Sequence, residues 1–203
     1  MRPPAQNQPS PQKKQRPSPK RITPDYLHNA GLYYLERFAA SSAHFRSVMT
    51  RKIDRSCRAH TDQSREACLT MLEGVIERFT ESGLLNDQTY GATMVASLRR
   101  RGLGTRAIGA RLQSKGLGPD LIAATLNAHD EEENDGDLAA ALRLARRKKI
   151  GPFRALPYPP DEQGQKEKTR DMGRLARAGF GYHIARTVLD ISATDAENGT
   201  IPP

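Results

Sequence analysis

Long apolar runs are missing from this chain of 203 residues: no stretch of eighteen uncharged apolar residues occurs, so no membrane-spanning helix is expected. The N-terminus also lacks the apolar core of a secretory signal. Both absences predict a protein that works in the cytosol. Cysteine is scarce too. Only Cys57 and Cys68 are present, flanking the polar run Ala59-His60-Thr61-Asp62-Gln63-Ser64, which reads as a helix-to-helix turn. In a reducing compartment they are expected as free, part-buried thiols.

Signatures of chemistry are missing as well. Gly-x-Ser-x-Gly does not occur, and the paired glycines at Gly102 and Gly104 follow no strand and precede no Gly-Lys-Ser/Thr, which excludes a phosphate loop. Cys57, His60 and Cys68 have no fourth metal ligand nearby, and His28, His44, His129 and His183 are scattered. No catalytic residue, cofactor or metal is expected. The chain reads as a binding protein and not an enzyme.

Acidic residues are absent from the first 24 positions, which hold seven prolines and the cations Arg2, Lys13, Lys14, Arg16, Lys20 and Arg21. With almost nothing apolar to bury, residues 1–24 are expected to form a disordered basic tail. The tail carries +6 of the net charge of +9, so the remainder is only mildly basic at +3. Such a charge permits a nucleic-acid partner without requiring one.

From Tyr26 onward apolar residues recur at helical spacing, and no segment alternates with the period of a strand. Leu27, Ala30, Tyr34 and Phe38 form one stripe; Phe45, Val48, Met49 and Ile53 form another; Cys68, Leu72, Val75, Ile76 and Phe79 form a third. An all-α fold follows. Four stop signals share one pattern, an apolar residue, a glycine four positions later, then a second apolar residue: Phe79/Gly83/Leu84, Leu98/Gly102/Leu103, Leu112/Gly116/Leu117 and Leu175/Gly179/Phe180. This is the sequence of a Schellman helix end, in which the glycine takes a left-handed conformation. In the last three a second glycine, Gly104, Gly118 or Gly181, stands where the next helix needs its N-cap.

A shift of 14 residues lays Gly102-Leu103-Gly104 on Gly116-Leu117-Gly118, and a shift of 63 lays the latter on Gly179-Phe180-Gly181. Helices this short need their neighbours, which is the logic of a repeat array. An elongated tandem array of three three-helix repeats is expected, at 26–83, 87–129 and 135–190, with a Pro-rich insertion over 151–165 and a frayed tail over 192–203. Helices are expected near 26–38, 42–57 and 65–82, then 87–101, 105–115 and 119–128, then 137–149, 167–178 and 182–190. The segment Gly151–Pro160 is expected to be extended.

Basic residues are densest in the second repeat and the start of the third. Arg99, Arg100, Arg101, Arg106, Arg111 and Lys115 gather at one corner; Arg143, Arg146, Arg147 and Lys148 follow. These ten are the candidate partner contacts. Basic last turns also complement the helix dipole, as does the acidic start Asp130-Glu131-Glu132-Glu133-Asn134-Asp135 with Asp137, so part of the pattern is ordinary helix electrostatics.

The joint Gly83-Leu84-Leu85-Asn86-Asp87, the glycine corners, and Leu175-Ala176-Arg177-Ala178-Gly179-Phe180-Gly181-Tyr182 with Ala185-Arg186 and Val188-Leu189 together resemble the RecX family of bacterial recombinase regulators. The resemblance covers about residues 26–190. It implies a monomeric protein that binds the RecA filament on single-stranded DNA and inhibits its ATPase, strand exchange and coprotease activities, in DNA repair and the SOS response. Weak direct contact with DNA is compatible with it. Thr50-Arg51-Lys52-Ile53 departs from the family's Lys-Gly helix end, so a longer second helix is expected. A competing reading takes each three-helix unit as a helix-turn-helix DNA binder. Its best groove-reading helices open with Thr105-Arg106-Ala107 and Pro119-Asp120-Leu121, and the second is acidic where DNA would sit.

Overall fold

A computed structural model describes residues 18–132 and 136–198. Its helices are α1 (Pro24–Leu35), α2 (Ser42–Ala59), α3 (Arg65–Glu81), α4 (Asp87–Arg100), α5 (Thr105–Ser114), α6 (Pro119–Glu132), α7 (Asp137–Lys148), α8 (Glu162–Arg177), α9 (Tyr182–Asp190) and α10 (Ala193–Asn198). A short 3-10 turn spans Gly151–Phe153. Among the described residues there is no strand.

The apolar stripes close three cores. Leu27, Phe45, Met49, Leu72, Val75 and Phe79 pack together from α1, α2 and α3. Val95, Leu98, Ile108, Leu112 and Leu126 do so from α4, α5 and α6, and Ala140, Leu144, Leu175, Val188 and Leu189 from α7, α8 and α9. Thr23, Ser41, Ser64, Asn86 and Asp161 each accept an amide hydrogen bond from the helix they begin.

Gly83, Gly102, Gly116 and Gly179 have φ of 76°, 68°, 83° and 95°. At Gly102 the Leu103 amide donates to the Leu98 carbonyl at 3.1 Å and the Gly102 amide to that of Arg99 at 2.8 Å, the paired bonds of a Schellman end. Gly116 and Gly179 repeat the pair. The first corner differs. There the amide of Leu85, not Leu84, bonds the Phe79 carbonyl at 2.9 Å. The turn is one residue longer, so Leu85 is 1% exposed and Leu84 stands 51% exposed. A fifth corner has no glycine in the left-handed position: Lys149 adopts φ 53°, and the amide of buried Ile150 reaches the Ala145 carbonyl at 3.0 Å.

Other boundaries also move. The first helix stops at Leu35, short of Phe38, which lies exposed beyond its end. The second runs to Ala59 and α6 to Glu132, each longer than the apolar pattern suggests. The eighth begins at Glu162, because the Asp161 carboxylate caps the Gly164 amide at 2.9 Å, so the Pro-rich insertion ends before residue 162 instead of at 165. The expectation that its first residues are extended fails at the 3-10 turn. The C-terminal segment expected to fray contains α10, with Ile191 and Ala196 buried against the third repeat.

At the other end, residues 18–23 are not a loose tail. Ile22 is buried in the first core, its amide and carbonyl both held by the Gln63 side chain at 3.0 and 2.9 Å. Ser56 Oγ donates to the Lys20 carbonyl at 2.8 Å, and Arg21 pairs with Asp62. Residues 1–17 and 199–203 lie outside the described residues. Cys57 and Cys68 are both free, and burial, then the neighbouring Cys57, raises the Cys68 thiol pKa.

Candidate partner-binding groove

The second and third repeats are locked together at the C-terminal end of α4. Arg99 is fully buried there, which corrects its expected place among the exposed contacts. Its Nε donates to Asp130 at 3.0 Å and Nη2 to the other Asp130 oxygen at 2.6 Å. Nη1 donates to Asp137 at 2.5 Å and to the Leu103 carbonyl at 3.3 Å; Nη2 also donates to Thr105 Oγ1 at 2.9 Å. All five guanidinium donors are therefore satisfied. Burial alone would lower the Arg99 pKa, but the two carboxylates outweigh it and the net direction is upward. Asp137 accepts in addition from the Thr105 amide at 2.7 Å, capping α5 from the start of α7.

More bonds surround this ion pair. Arg143 donates to the Arg99 carbonyl at 3.2 Å, which also accepts from the Gly102 amide, and Arg147 donates to the Arg101 carbonyl at 2.7 Å, so basic side chains of α7 meet the carbonyl end of α4. The Gly104 amide donates to the Ala178 carbonyl at 2.9 Å, so the N-terminus of α5 meets the corner after α8. At Gly179 a Cβ would lie 2.5 Å from the Ala107 amide nitrogen, so this corner requires glycine for its left-handed φ and for the close approach.

Beside the locked joint lies an open groove of about 720 Å³. Its rim carries Arg101, Arg111, Arg147, Lys148, Arg174 and Arg177. Its floor is formed by Gly102, Leu103, Ala107, Ala110, Leu144 and Ala178. The described lining contains no acidic and no aromatic side chain. All six cations are exposed, Arg174 sharing its charge with Asp171 at 2.8 Å.

Four of the ten sequence candidates thus converge on the groove: Arg101, Arg111, Arg147 and Lys148. The others do not line it. Arg100 is exposed elsewhere, Arg106 bonds the Phe180 carbonyl at 3.4 Å, and Arg143 reaches the Arg99 carbonyl. Arg146 stacks over the Phe153 ring at 4.9 Å, and Lys115 sits at the other joint, its carbonyl accepting from Ser41 Oγ. Arg174 and Arg177 were not among the candidates. In sequence Arg177 stands two residues before Gly179, as Arg100 does before Gly102, and since Arg100 does not line the groove that position gives no signal for it. Among the described residues no cluster of three or more His, Cys, Asp or Glu is placed to hold a metal.

Three-helix repeats, joined at glycine corners and bearing a basic groove, define a class of helical-repeat binding protein. Residues 86–126 match the family model of the RecX second three-helix domain. Regulatory protein RecX of Myxococcus xanthus is 38% identical over 183 residues, which span 89% of this chain and 94% of that protein. The Agrobacterium fabrum regulatory protein RecX is 28% identical, across 85% of this chain and 86% of its own length. The crystal structure of RecX from Lactobacillus salivarius superposes with a TM-score of 0.59 at 20% identity, covering 82% of this chain and 96% of that one, a likeness of fold. The chain belongs to the RecX family of regulatory proteins.

Proposed function

We propose that this protein binds the RecA recombinase filament on single-stranded DNA and inhibits its ATPase, strand exchange and coprotease activities, acting in the cytosol as a monomer without catalysis of its own. The observation that carries the reading is family membership over nearly the whole chain, with relatives named as regulatory proteins. The groove at the second joint supplies the contact surface: six exposed cations attract an acidic protein face. The locked joint holds the helix ends that carry these cations in one arrangement, so the backbone need not be ordered on binding. The test is capture of RecA by the purified protein with ATP and single-stranded DNA, against DNA alone and RecA alone. Capture that needs RecA supports the reading. Equal capture of DNA with and without RecA would replace it with direct DNA binding.

A further inference from the structure

The groove pairs two features that no single simple ligand uses at once. Its charged lining is cationic throughout, five arginines and one lysine from the ends of α4, α5, α7 and α8. The rest of its lining, the floor, is apolar and built largely from small residues, Gly102, Ala107, Ala110 and Ala178 beside Leu103 and Leu144. A nucleic-acid strand would use the rim but not the floor. Single strands gain their second source of affinity from aromatic rings on which bases stack, and the described lining has none.

From this complementarity we infer that the groove takes an acidic amphipathic segment of a partner protein, its small apolar side chains on the Leu103–Ala110 floor and its carboxylates on the guanidinium rim. This rests on the proposed function for the identity of the partner, but not for the chemistry of the segment. A helix laid in a groove presents anchors at every third or fourth position, which matches an apolar floor flanked by charge. Arginine suits the rim because its planar fork meets a carboxylate with two parallel bonds. The joint fixes the rim spacing. Arg147 is itself tethered to the Arg101 backbone carbonyl at 2.7 Å, which fixes where this one guanidinium stands.

The test is fluorescence anisotropy of the full chain with three labelled probes: a Leu/Ala/Glu peptide with apolar residues on one helical face, a scrambled peptide of identical composition, and oligo(dT) of equal charge. The amphipathic peptide should bind at least roughly ten-fold more tightly than the scrambled one. Ala110→Glu, which puts a carboxylate on the exposed part of the floor, should remove that preference, and Arg147→Glu with Arg177→Glu should remove binding of both peptides. Circular dichroism unchanged in each variant confirms that the fold is kept. Equal binding of the two peptides would overturn the assignment of the floor, and tighter binding of oligo(dT) with a steep salt dependence would overturn the protein segment in favour of nucleic acid. A parallel RecA ATPase assay separates the two claims. Peptide preference without RecA inhibition refutes the proposed function alone; RecA inhibition without peptide preference refutes this inference alone.

Discussion

Where the first repeat meets the second, the contacts are light: the Gly116 corner against Ala43, Ser41 Oγ on the Lys115 carbonyl, and the Ser42 amide on Asp87 at 2.7 Å. Beside them Leu35, Phe38, Leu84, Tyr90 and Met94 line an apolar hollow of about 330 Å³. Where the second repeat meets the third, a fully buried arginine bridges two carboxylates, and further side-chain or amide bonds cross the boundary from Gly104, Thr105, Arg106, Arg143 and Arg147. Among the described residues no ion pair crosses the first joint. The contrast separates two roles. A joint held by a satisfied buried charge has one geometry, whereas a joint of few polar contacts and a hollow can change angle at small cost. The rim cations therefore stand on the rigid joint, and bending of the array is expected at the other.

Removing one partner from the buried network should have the largest effect. Asp137→Ala leaves the Arg99 guanidinium, 0% exposed, with one carboxylate and strips α5 of its cap. A loss of about 3 kcal/mol in urea unfolding is expected. Arg99→Met should cost less, because Asp130 and Asp137 are 28% and 23% exposed and can rehydrate. Unfolding unaffected by Asp137→Ala would make the two joints alike.

Cutting the N-terminus sharpens the same contrast from the first repeat, which completes its core with its own leading segment. Removal of residues 1–17 should leave the melting temperature unchanged. Removal through Thr23 should cost about 2–3 kcal/mol, since it strips buried Ile22 from the core and leaves the Gln63 side chain without its two backbone partners. Equal melting of the two truncations would show that Ile22 contributes nothing.

Alanine at two corner glycines compares the joints directly. Gly116→Ala and Gly179→Ala both carry the left-handed penalty of about 1–2 kcal/mol. At Gly116 the new Cβ would lie 2.3 Å from Ala43 Cβ, across the light joint, and should mainly shift the first repeat. At Gly179 it would lie 2.5 Å from a backbone nitrogen of α5, and should open the groove as well as destabilise the fold. Small-angle scattering should change more for Gly116→Ala, and partner affinity more for Gly179→Ala. The reverse pattern would break the comparison.

The smallest effect concerns the Pro-rich strap of the third repeat. Tyr158 donates to buried Asp171 at 2.8 Å, and Tyr158→Phe should cost about 1 kcal/mol. Burial, and then this bond, push the Tyr158 pKa from its ordinary 10 up to about 12. The raised pKa means that the neutral phenol is favoured in the folded state. Its contribution is complete below pH 10 and is lost as pH rises through about 12. Ultraviolet titration should show a late phenolate that Tyr158→Phe abolishes.

The corners at Gly102, Gly116 and Gly179 were legible in the sequence because a Schellman end is local: the glycine, the apolar residue after it and their partners fall within six positions. Lys149 hid the fifth corner by taking a left-handed φ that its residue type does not advertise. Arg99 and its acids escape a sequence reading for a different reason. A basic residue in a last turn and acids near a helix start both satisfy the dipole, so each had a local explanation, while the true partners lie 31 and 38 positions apart. Arg174 and Arg177 reach the groove only because the corner after α8 meets the N-terminus of α5, a tertiary contact. Ile22 was lost among prolines and cations, since one apolar residue makes no pattern.

RecA ATPase on single-stranded DNA, measured with Arg101→Glu/Arg147→Glu protein at two salt concentrations, tests the central claim most directly. The groove at the locked joint predicts loss of inhibition with helical circular dichroism intact, each interfacial charge contributing roughly 1–3 kcal/mol and the wild type weakening as salt rises. Inhibition equal to the wild type at both concentrations would show that the partner docks elsewhere.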